Sequence, residues 1–399
     1  MNRRSADSTR GGPSAQPISG KQRCANGPPL NKSAERELVF DPPAAREGED
    51  ILKTNSTFNT YSIHSPMSQP IASVSLDLDN KWSYMKTHGD AGWDQYPTYL
   101  DTVVPRFLNV LHNQTLSMTV FVVGEDAARE KNFEALASIS AAGHEIGNHS
   151  FKHEPWLHLY SEQELVRELA ETEEHLERVT GQCPIGFRGP GFSFTEELLQ
   201  IMVRRGYKYD GSTFPTFLGP LARLYYFMST RLDRDQREER KELFGRFSEG
   251  FRPLRPFQWK FPEGEITEIP VTTMPIFKTP IHASYVLYLA QFSTLAAKSY
   301  WNMALTMCRM TGIAPSLLLH PLDFMGCDDD NDLAFFPAMG RPAEPKVELV
   351  AWMLQKMSKH YDVRPMKDHA AAIRQKLSPI IAASNRSAPQ AAETVPADA

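Results

Sequence analysis

Short apolar runs alternate with amphipathic segments along most of the chain. The first run, Ile71 to Leu78, is typical of a buried strand. Apolar positions from Leu100 to Leu111 recur with helical spacing, and Ser161-Glu-Gln-Glu164 has the capping-box pattern that opens a helix. Strands that alternate with helices in this way are usually parallel and joined by crossover helices. The pattern therefore predicts an α/β fold, either a barrel or an open sheet.

The same reasoning predicts further elements. We expect strands at 118–123, 144–148, 185–188, 207–210, 266–272 and 316–319, and helices at 125–142, 195–205 and 284–308. In barrels of parallel strands, catalytic side chains lie at the carboxyl ends of the strands. The residues that this prediction puts there are Asp77, His149, Arg188, Asp210 and His320.

The two ends of the chain differ in composition from its centre. Residues 1–65 are rich in Ser, Pro, Gly and charge, and we predict that they are disordered. Residues 378–399 have a similar character and are predicted to form a tail. Between them we expect one domain over 66–375, with a charged insertion at about 217–256 that forms a solvated helix or a lid.

Composition narrows the class of protein. Hydrophobic residues make up 41% and charged residues 23% of the chain, as in soluble globular proteins. A net charge of -5 gives no reason to expect nucleic acid as a partner. No apolar stretch is long enough to span a membrane, no secretory signal is evident, and the four cysteines show no paired spacing. We expect a cytoplasmic protein, with association at the inner face of the membrane left open.

Two aspartates at the end of the first strand are the first candidates for chemistry. Asp77 and Asp79 are two apart, so in an extended strand their side chains point the same way. Burying two like charges together is costly unless a cation compensates. A metal ion at Asp79, with Arg188 near Asp77, would supply that compensation. The alternative is a solvated Asp-x-Asp pair that caps the following helix.

Two histidines supply the remaining ligands of a metal site. His149 and His153 are four apart, a spacing that puts both rings on one side of a single helical turn. A carboxylate with two imidazoles leaves positions open on a zinc-like ion, as a catalytic metal requires. A packed surface pair of histidines is the alternative reading.

Two further segments follow predicted strands. Arg188-Gly-Pro-Gly191 contains glycine, whose backbone N–H can approach a ligand and donate to an oxyanion, although a tight turn would look the same. His320, in Leu317-Leu-Leu-His-Pro321, could protonate a leaving amine or be a structural histidine.

Taken in order, four motifs resemble those of the polysaccharide deacetylase family, carbohydrate esterase family 4. They are Ser75-Leu-Asp-Leu-Asp79, His149-Ser-Phe-Lys-His153, Arg188-Gly-Pro-Gly191 and Leu319-His-Pro321. The resemblance covers about residues 70–370. It implies a distorted (β/α) barrel and a metal-dependent N-deacetylase. It also implies roles: Asp77 as catalytic base, Asp79, His149 and His153 as metal ligands, Arg188 as the partner of Asp77, and His320 as general acid.

The chain departs from the usual family pattern in two places. Leu78 separates the aspartates, which are normally adjacent, and Asn80 stands where glycine normally follows. This variant resembles the branch that contains intracellular deacetylases, deformylases of lipid-linked sugars and allantoinase-like amide hydrolases. The usual Asp-Trp motif that orients the acid histidine is not evident, and Asp210 or Glu268 are the candidates to replace it.

The expected chemistry follows from these residues. Zn²⁺ suits the ligands best, although Co²⁺, Mn²⁺ or Fe²⁺ would also fit. Gly191 and Asp210 are the candidates for contacts with the substrate or the oxyanion. The resemblance implies as substrate an N-acetyl or N-formyl amino sugar in a polysaccharide or a lipid-linked glycan. A small-amide hydrolase and a non-catalytic metal-binding or glycan-binding protein are the alternatives.

Aromatic side chains near the motifs could form a floor for a sugar ring or belong to the core: Trp82, Trp93, Tyr96 and Trp156.

Overall fold

The computed structural model describes residues 69–220 and 247–387. The segment predicted to be disordered, most of the predicted insertion, and residues 388–399 of the predicted tail lie outside these ranges. The strands of the described part are β1 Ile71–Leu78, β2 Thr119–Val122, β3 Glu145–Asn148, β4 Gly186–Phe187, β5 Tyr209–Asp210, β6 Phe257–Phe261, β7 Gly264–Glu268, β8 Ser316–Leu319 and β9 Asp362–Arg364.

Helices pack around these strands. Their bounds are α1 Lys81–His88, α2 Leu100–Asn113, α3 Gly124–Ala127, α4 Phe133–Ala141, α5 Glu162–Thr180, α6 Glu196–Arg204, α7 Ala283–Phe292, α8 Thr294–Thr311, α9 Ala343–Ser358 and α10 Met366–Ser387. None of the helices in the described ranges combines the length and hydropathy that a membrane crossing requires.

The strands form one curved sheet in the order β6-β7-β5-β4-β3-β2-β1-β8, with β9 beside the start of β1. All pairings are parallel except that of β6 with β7. Beyond β7, the Thr272 N–H donates to the Ser316 carbonyl at 3.1 Å, and the Ser316 N–H donates to the Thr272 hydroxyl at 2.8 Å. These bonds bring the chain after β7 back to β8. The α/β half-barrel confirms the predicted fold class.

The main core lies between the sheet and the helices that cover it. Leu76 and Leu78 of β1 pack there with Val103 and Phe107 of α2 and with Trp301 of α8. All are almost completely buried, and apolar burial of this extent provides most of the driving force for folding. Both faces of β1 are buried, and its apolar residues alternate with polar ones from position 73 onward, so the signal at 71–78 is the strand period of two.

Two predicted helices are each divided in the structure. The predicted helix at 125–142 consists of α3 and α4, because the Asn132 side chain donates to the Asp126 carbonyl where α3 ends. The predicted helix at 284–308 consists of α7 and α8, because Ser293 is extended and its hydroxyl accepts from the Ala296 N–H as an N-cap. Local side-chain bonds therefore interrupt apolar patterns that look continuous.

Other elements were absent from the prediction. Asn80 caps α1, which the sequence pattern did not indicate, and β6 lies at the edge of the predicted insertion. The strand β9 and the helix α9 were also missed. The backbone of α10 continues to Ser387, ten residues into the predicted tail, because this Ala-rich segment suits a helix.

Candidate metal centre

The register of the sheet gathers the candidate residues along one edge. Leu76 of β1 lies opposite Leu319 of β8, so Asp77 and His320 come next on adjacent strands. On the other side, Val122 of β2 lies between Leu78 and Asn148. Asp79 and His149 therefore follow the carboxyl ends of β1 and β3.

Three side chains converge at this edge. The Nε2 atom of His153 lies 2.8 Å and that of His149 lies 3.3 Å from Asp79 Oδ1. One potential ligand atom from each residue lies within 4.8 Å of the others, and Asp79 and His149 are buried. One carboxylate oxygen and two imidazole nitrogens are the donor set that zinc and similar divalent ions accept.

The hydrogen bonds around the group fit a metal ion better than a simple ion pair. His149 Nδ1 lies 2.6 Å from the Arg188 carbonyl and can only donate to it, so Nε2 of the neutral ring carries the lone pair. Asp79 Oδ1 is buried, yet within residues 69–220 and 247–387 no N–H meets it with hydrogen-bond geometry. A buried carboxylate oxygen without such a donor needs another partner. A divalent cation between the three side chains would provide it.

Electrostatics in the same group favour a bound cation. Burial raises the pKa of Asp79, but the two histidines outweigh it and hold that pKa well below its usual range. Burial lowers the pKa of His149, but Asp77 and Asp79 outweigh this effect and raise it overall. The site thus attracts positive charge, which a proton or a metal ion can supply.

The segment that carries both histidines, which we call the histidine loop (148–155), is not helical. Ser150 and His153 have φ of 59° and 55°, in the left-handed region that side chains rarely adopt. Asn148 Oδ1 accepts from the Ser150 N–H, and Glu168 of α5 accepts from the N–H groups of Phe151 and Lys152. The predicted helical turn is wrong, because these side chains bind the backbone groups that a helix would use.

Asp77 lies beside this group of three residues and pairs with Arg188. The guanidinium Nη1 is 2.7 Å from Asp77 Oδ1 and also donates to the Ser75 hydroxyl, while Nε donates to the Gly211 carbonyl. Arg188 is fully buried and Asp77 almost so. The guanidinium thus gives Asp77 a buried, charged hydrogen-bond partner and fixes the position of its carboxylate.

His320 is held by two residues that the sequence analysis missed. Ser284, at the start of α7, donates its hydroxyl to Asp323 Oδ1 at 2.7 Å and lies 3.1 Å from His320 Nδ1. Because the single hydroxyl hydrogen is used, Ser284 accepts from the ring and Nε2 is left to receive or release a proton. Asp323 also accepts from the His320 N–H. Burial raises the pKa of Asp323, and the nearby His320 counteracts this rise.

Asp210 and Glu268 do not hold His320. Asp210 is fully buried, and its two oxygens accept from the backbone N–H and the hydroxyl of Ser212. Glu268 accepts from Thr213 and Trp259, and burial beside Asp210 raises its pKa well above the usual value. The expectations that Asp210 contacts substrate or that either carboxylate orients the acid are therefore not supported. The pair instead joins β5 to β7.

Gly191 lies in a short turn, Pro190–Phe192, with φ of 57° and an exposed surface. The neighbouring Gly189 is required sterically, because a Cβ there would lie 1.8 Å from the Ser193 carbonyl. From the turn a row of ring contacts runs through Phe192, Phe214 and His282 to His320. The turn and His320 are thus linked by packed side chains, and the role of the Gly191 N–H remains a prediction.

Asn80, the departure from the usual glycine, belongs to a buried network behind the ligands. Its side chain donates to Asp126 Oδ1 at 2.7 Å, as does the indole of Trp82 at 2.9 Å. Burial raises the pKa of Asp126 to about 7. Trp82 is therefore part of the core, whereas Trp93 and Tyr96 are partly exposed. Of the four aromatic residues predicted as a possible floor for a sugar ring, these two and Trp156 are partly exposed and stay candidates.

Comparison with known proteins agrees with this geometry. Residues 90–209 match the model of the polysaccharide deacetylase family, a range that includes His149, His153 and Arg188 and begins after Asp79. Over these residues the chain is similar to polysaccharide deacetylases. The resemblance predicted from the four motifs is thus confirmed.

Named relatives share parts of the sequence. The chain is 30% identical over 109 residues to a peptidoglycan deacetylase of Helicobacter pylori, a match that covers 27% of this chain and 36% of the relative. It is 32% identical over 181 residues to the peptidoglycan-N-acetylmuramic acid deacetylase PdaA of Bacillus subtilis, covering 45% and 59%. The chain thus spans from about a third to three fifths of the length of these relatives.

A solved structure shares the fold over most of the chain. A crystal structure from Mycobacterium smegmatis, described as a candidate polysaccharide deacetylase, superposes with a TM-score of 0.52 at 20% identity. The superposition covers 78% of this chain and 92% of the other. At this identity the similarity supports the fold and carries no information on activity.

Proposed function

We propose that this chain is a divalent-metal-dependent hydrolase that removes an N-acyl group, acetyl or formyl, from an amino sugar of a glycan. One observation carries the proposal. The convergent donors of Asp79, His149 and His153 lie beside a second carboxylate, Asp77, that the buried Arg188 holds in an ion pair at 2.7 Å. A metal site with an adjacent base can hydrolyse an unactivated amide, because the ion activates water and the base accepts its proton.

Each residue has a proposed role. Asp79, His149 and His153 would hold the ion, and an ion bound there would supply Lewis-acid polarisation and a nucleophilic water at neutral pH. Asp77 would accept a proton from the attacking water. Oδ1 of Asp77 bonds to Arg188, so Oδ2 is the oxygen proposed to receive the proton. His320 would protonate the departing nitrogen through Nε2, because Nδ1 bonds to Ser284.

The names of the relatives support a glycan as substrate. Both relatives described above are named for deacetylation of peptidoglycan or of one of its sugars. The partly exposed Tyr96 ring lies 5.2 Å from the buried Trp82 ring, which lies 6.5 Å from His153. Such a ring is suited to stack on a sugar, because apolar ring faces bind the C–H surface of a pyranose. We propose zinc as the ion, and we keep a lipid-linked glycan within the proposed substrate class.

The test is direct. Protein stripped of metal and then reloaded with Zn²⁺, Co²⁺, Mn²⁺ or Fe²⁺ would be incubated with acetylated and formylated amino sugars, as monomers and as oligomers. We expect acetate or formate release that depends on the metal and is greater for oligomers. Release from small non-sugar amides alone would favour the smaller substrate class. Stoichiometric metal binding without any release would contradict the proposal and identify a binding protein.

A further inference from the structure

The segment between β7 and the turn after β8 contains basic residues but no acidic ones. Asp and Glu account for 48 of the 399 residues, yet none occurs between Glu268 and Asp323. The only Lys and Arg residues in this interval are Lys278, Lys298 and Arg309. The segment is thus purely cationic, although the chain as a whole has a net charge of -5.

The same segment exposes most of the large apolar side chains of the described surface. Eleven large hydrophobic residues are exposed in the described ranges, and seven of these lie between Ile276 and Met310. We call these seven the apolar face: Ile276, Phe277, Tyr288, Phe292, Leu295, Met303 and Met310. Monomeric proteins seldom expose so many large apolar groups in one segment without a partner for them.

The apolar face is built on adjoining rigid elements. Phe292 ends α7 and Leu295 begins α8, and these two side chains are 76% and 77% exposed at the corner between the helices. The Tyr300 hydroxyl of α8 bonds to Thr279 and to the Pro280 carbonyl, which fixes the loop of Ile276 and Phe277 to the same helix. The exposed groups therefore have a fixed arrangement.

Tryptophan and lysine occur beside the corner in the arrangement that membrane interfaces favour. Lys298 of α8 and Lys356 of α9 place their ammonium groups 5.2 Å and 5.5 Å from the half-buried Trp352 ring. An indole with flanking lysines suits the boundary between headgroups and acyl chains, where the ring meets hydrocarbon and the ammonium groups meet phosphate.

We propose that the apolar face binds a lipid surface that contains anionic headgroups, with Phe292 and Leu295 inserted at its centre. Charge complementarity favours a lipid surface over a second copy of the chain as the partner of this face. A second copy would bring the same cations into mutual contact, whereas anionic lipid neutralises Lys298 and Arg309 while the acyl region receives the apolar side chains. The proposal holds whatever the chain hydrolyses.

Helix α7 connects the apolar face to the surroundings of His320. Ser284, which binds His320, and Phe292 lie at opposite ends of α7. Eight residues of helix span about 12 Å. A chain bound through this corner would keep Ser284, the partner of His320, about 12 Å along the helix from the inserted Phe292.

Vesicle co-sedimentation of the full chain tests the proposal. Vesicles of phosphatidylcholine alone are compared with vesicles that also contain phosphatidylglycerol. The variant is Phe292→Glu with Leu295→Glu, and the control is Leu159→Glu, which is 60% exposed and outside the face. We expect the double variant to lose about tenfold or more in partitioning, because charge replaces inserted apolar area. The control should bind like the wild type.

Salt and oligomeric state complete the test. Binding of the wild type should be stronger with phosphatidylglycerol and should weaken as salt screens the cations. Wild type that remains in the supernatant, or a control that falls as far as the double variant, would overturn the proposal. So would light scattering in which the double variant converts a dimer to a monomer while vesicle binding persists. If circular dichroism shows that the glutamates unfold the chain, Phe292→Ser with Leu295→Ser gives the same comparison.

Discussion

The roles proposed for Asp77 and His149 can be separated by one pair of substitutions. Asp77→Asn conserves the volume of the side chain and an acceptor for Arg188, whose Nη1 lies 2.7 Å from Oδ1. It removes the ability to accept a proton. Because Asp79, His149 and His153 are unchanged, we expect the metal content to remain that of the wild type.

The size of the effect follows from what is lost. A positioned general base contributes about 10²- to 10⁴-fold to the rate, or about 3 to 5 kcal/mol of transition-state stabilisation. Stability should also fall, because the fully buried Arg188 loses its charged partner and keeps the bonds to Ser75 and Gly211. We expect a loss of about 1 to 3 kcal/mol in the free energy of unfolding.

His149→Ala should give the opposite pattern. It removes one of the three proposed ligands. Altering a group that only supports a ligand lowers metal affinity by up to about a hundredfold, so we expect the loss of a ligand to lower it by at least about that factor. Elemental analysis and titration with metal would be made on both variants, with the exposed His112→Ala as control. Equal loss of metal in the two variants, or wild-type turnover in Asp77→Asn, would refute the assignment of roles.

Three further predictions concern the groups around the site. Ser284→Ala should reduce kcat about tenfold and change the pH profile, since it interrupts the link from Asp323 to His320, and Ser284→Thr should restore both. Burial raises the pKa of Asp126 from 3.8 to about 7, so its contribution to stability is complete below pH 3.8 and is lost as the pH rises through 7. Urea unfolding of Asp126→Asn should lack this loss, which is at most about 4 kcal/mol. Glu168→Ala removes two hydrogen bonds from the histidine loop and should weaken metal binding about tenfold in a titration, unlike Glu174→Ala on the exposed side of α5.

The sequence predicted the sheet well because its buried strands are short segments that are apolar at every second position or at nearly every position. Ile71–Leu78 and Ser316–Leu319 were therefore placed at the observed bounds. Once those strands are parallel and adjacent, their ends must meet at one edge. This is why residues as distant in sequence as Asp77 and His320 could be assigned to one site.

The sequence failed where side chains bind backbone groups over long separations. The spacing of His149 and His153 fits a helix equally well, and nothing local reveals that Glu168 of α5 holds the intervening N–H groups. Ser284 precedes His320 by 36 residues. Asp323 was the one available signal, because it follows His320 by three residues and can reach back to its N–H.

Arg188 positions one proposed ligand and the proposed base, and its own backbone is held by the sheet. Its carbonyl accepts from His149 Nδ1 and so directs the lone pair of a proposed ligand, while its guanidinium holds the proposed base, Asp77. Its own N–H donates to the Asn148 carbonyl in the register of β3 and β4. A lysine nitrogen in the place of Nη1 could donate to Asp77 and Ser75 but could not also donate to the Gly211 carbonyl, which accepts from Nε. The position of the base relative to the metal ligands is thus set by one residue at a strand end, where displacement would require the sheet itself to shift.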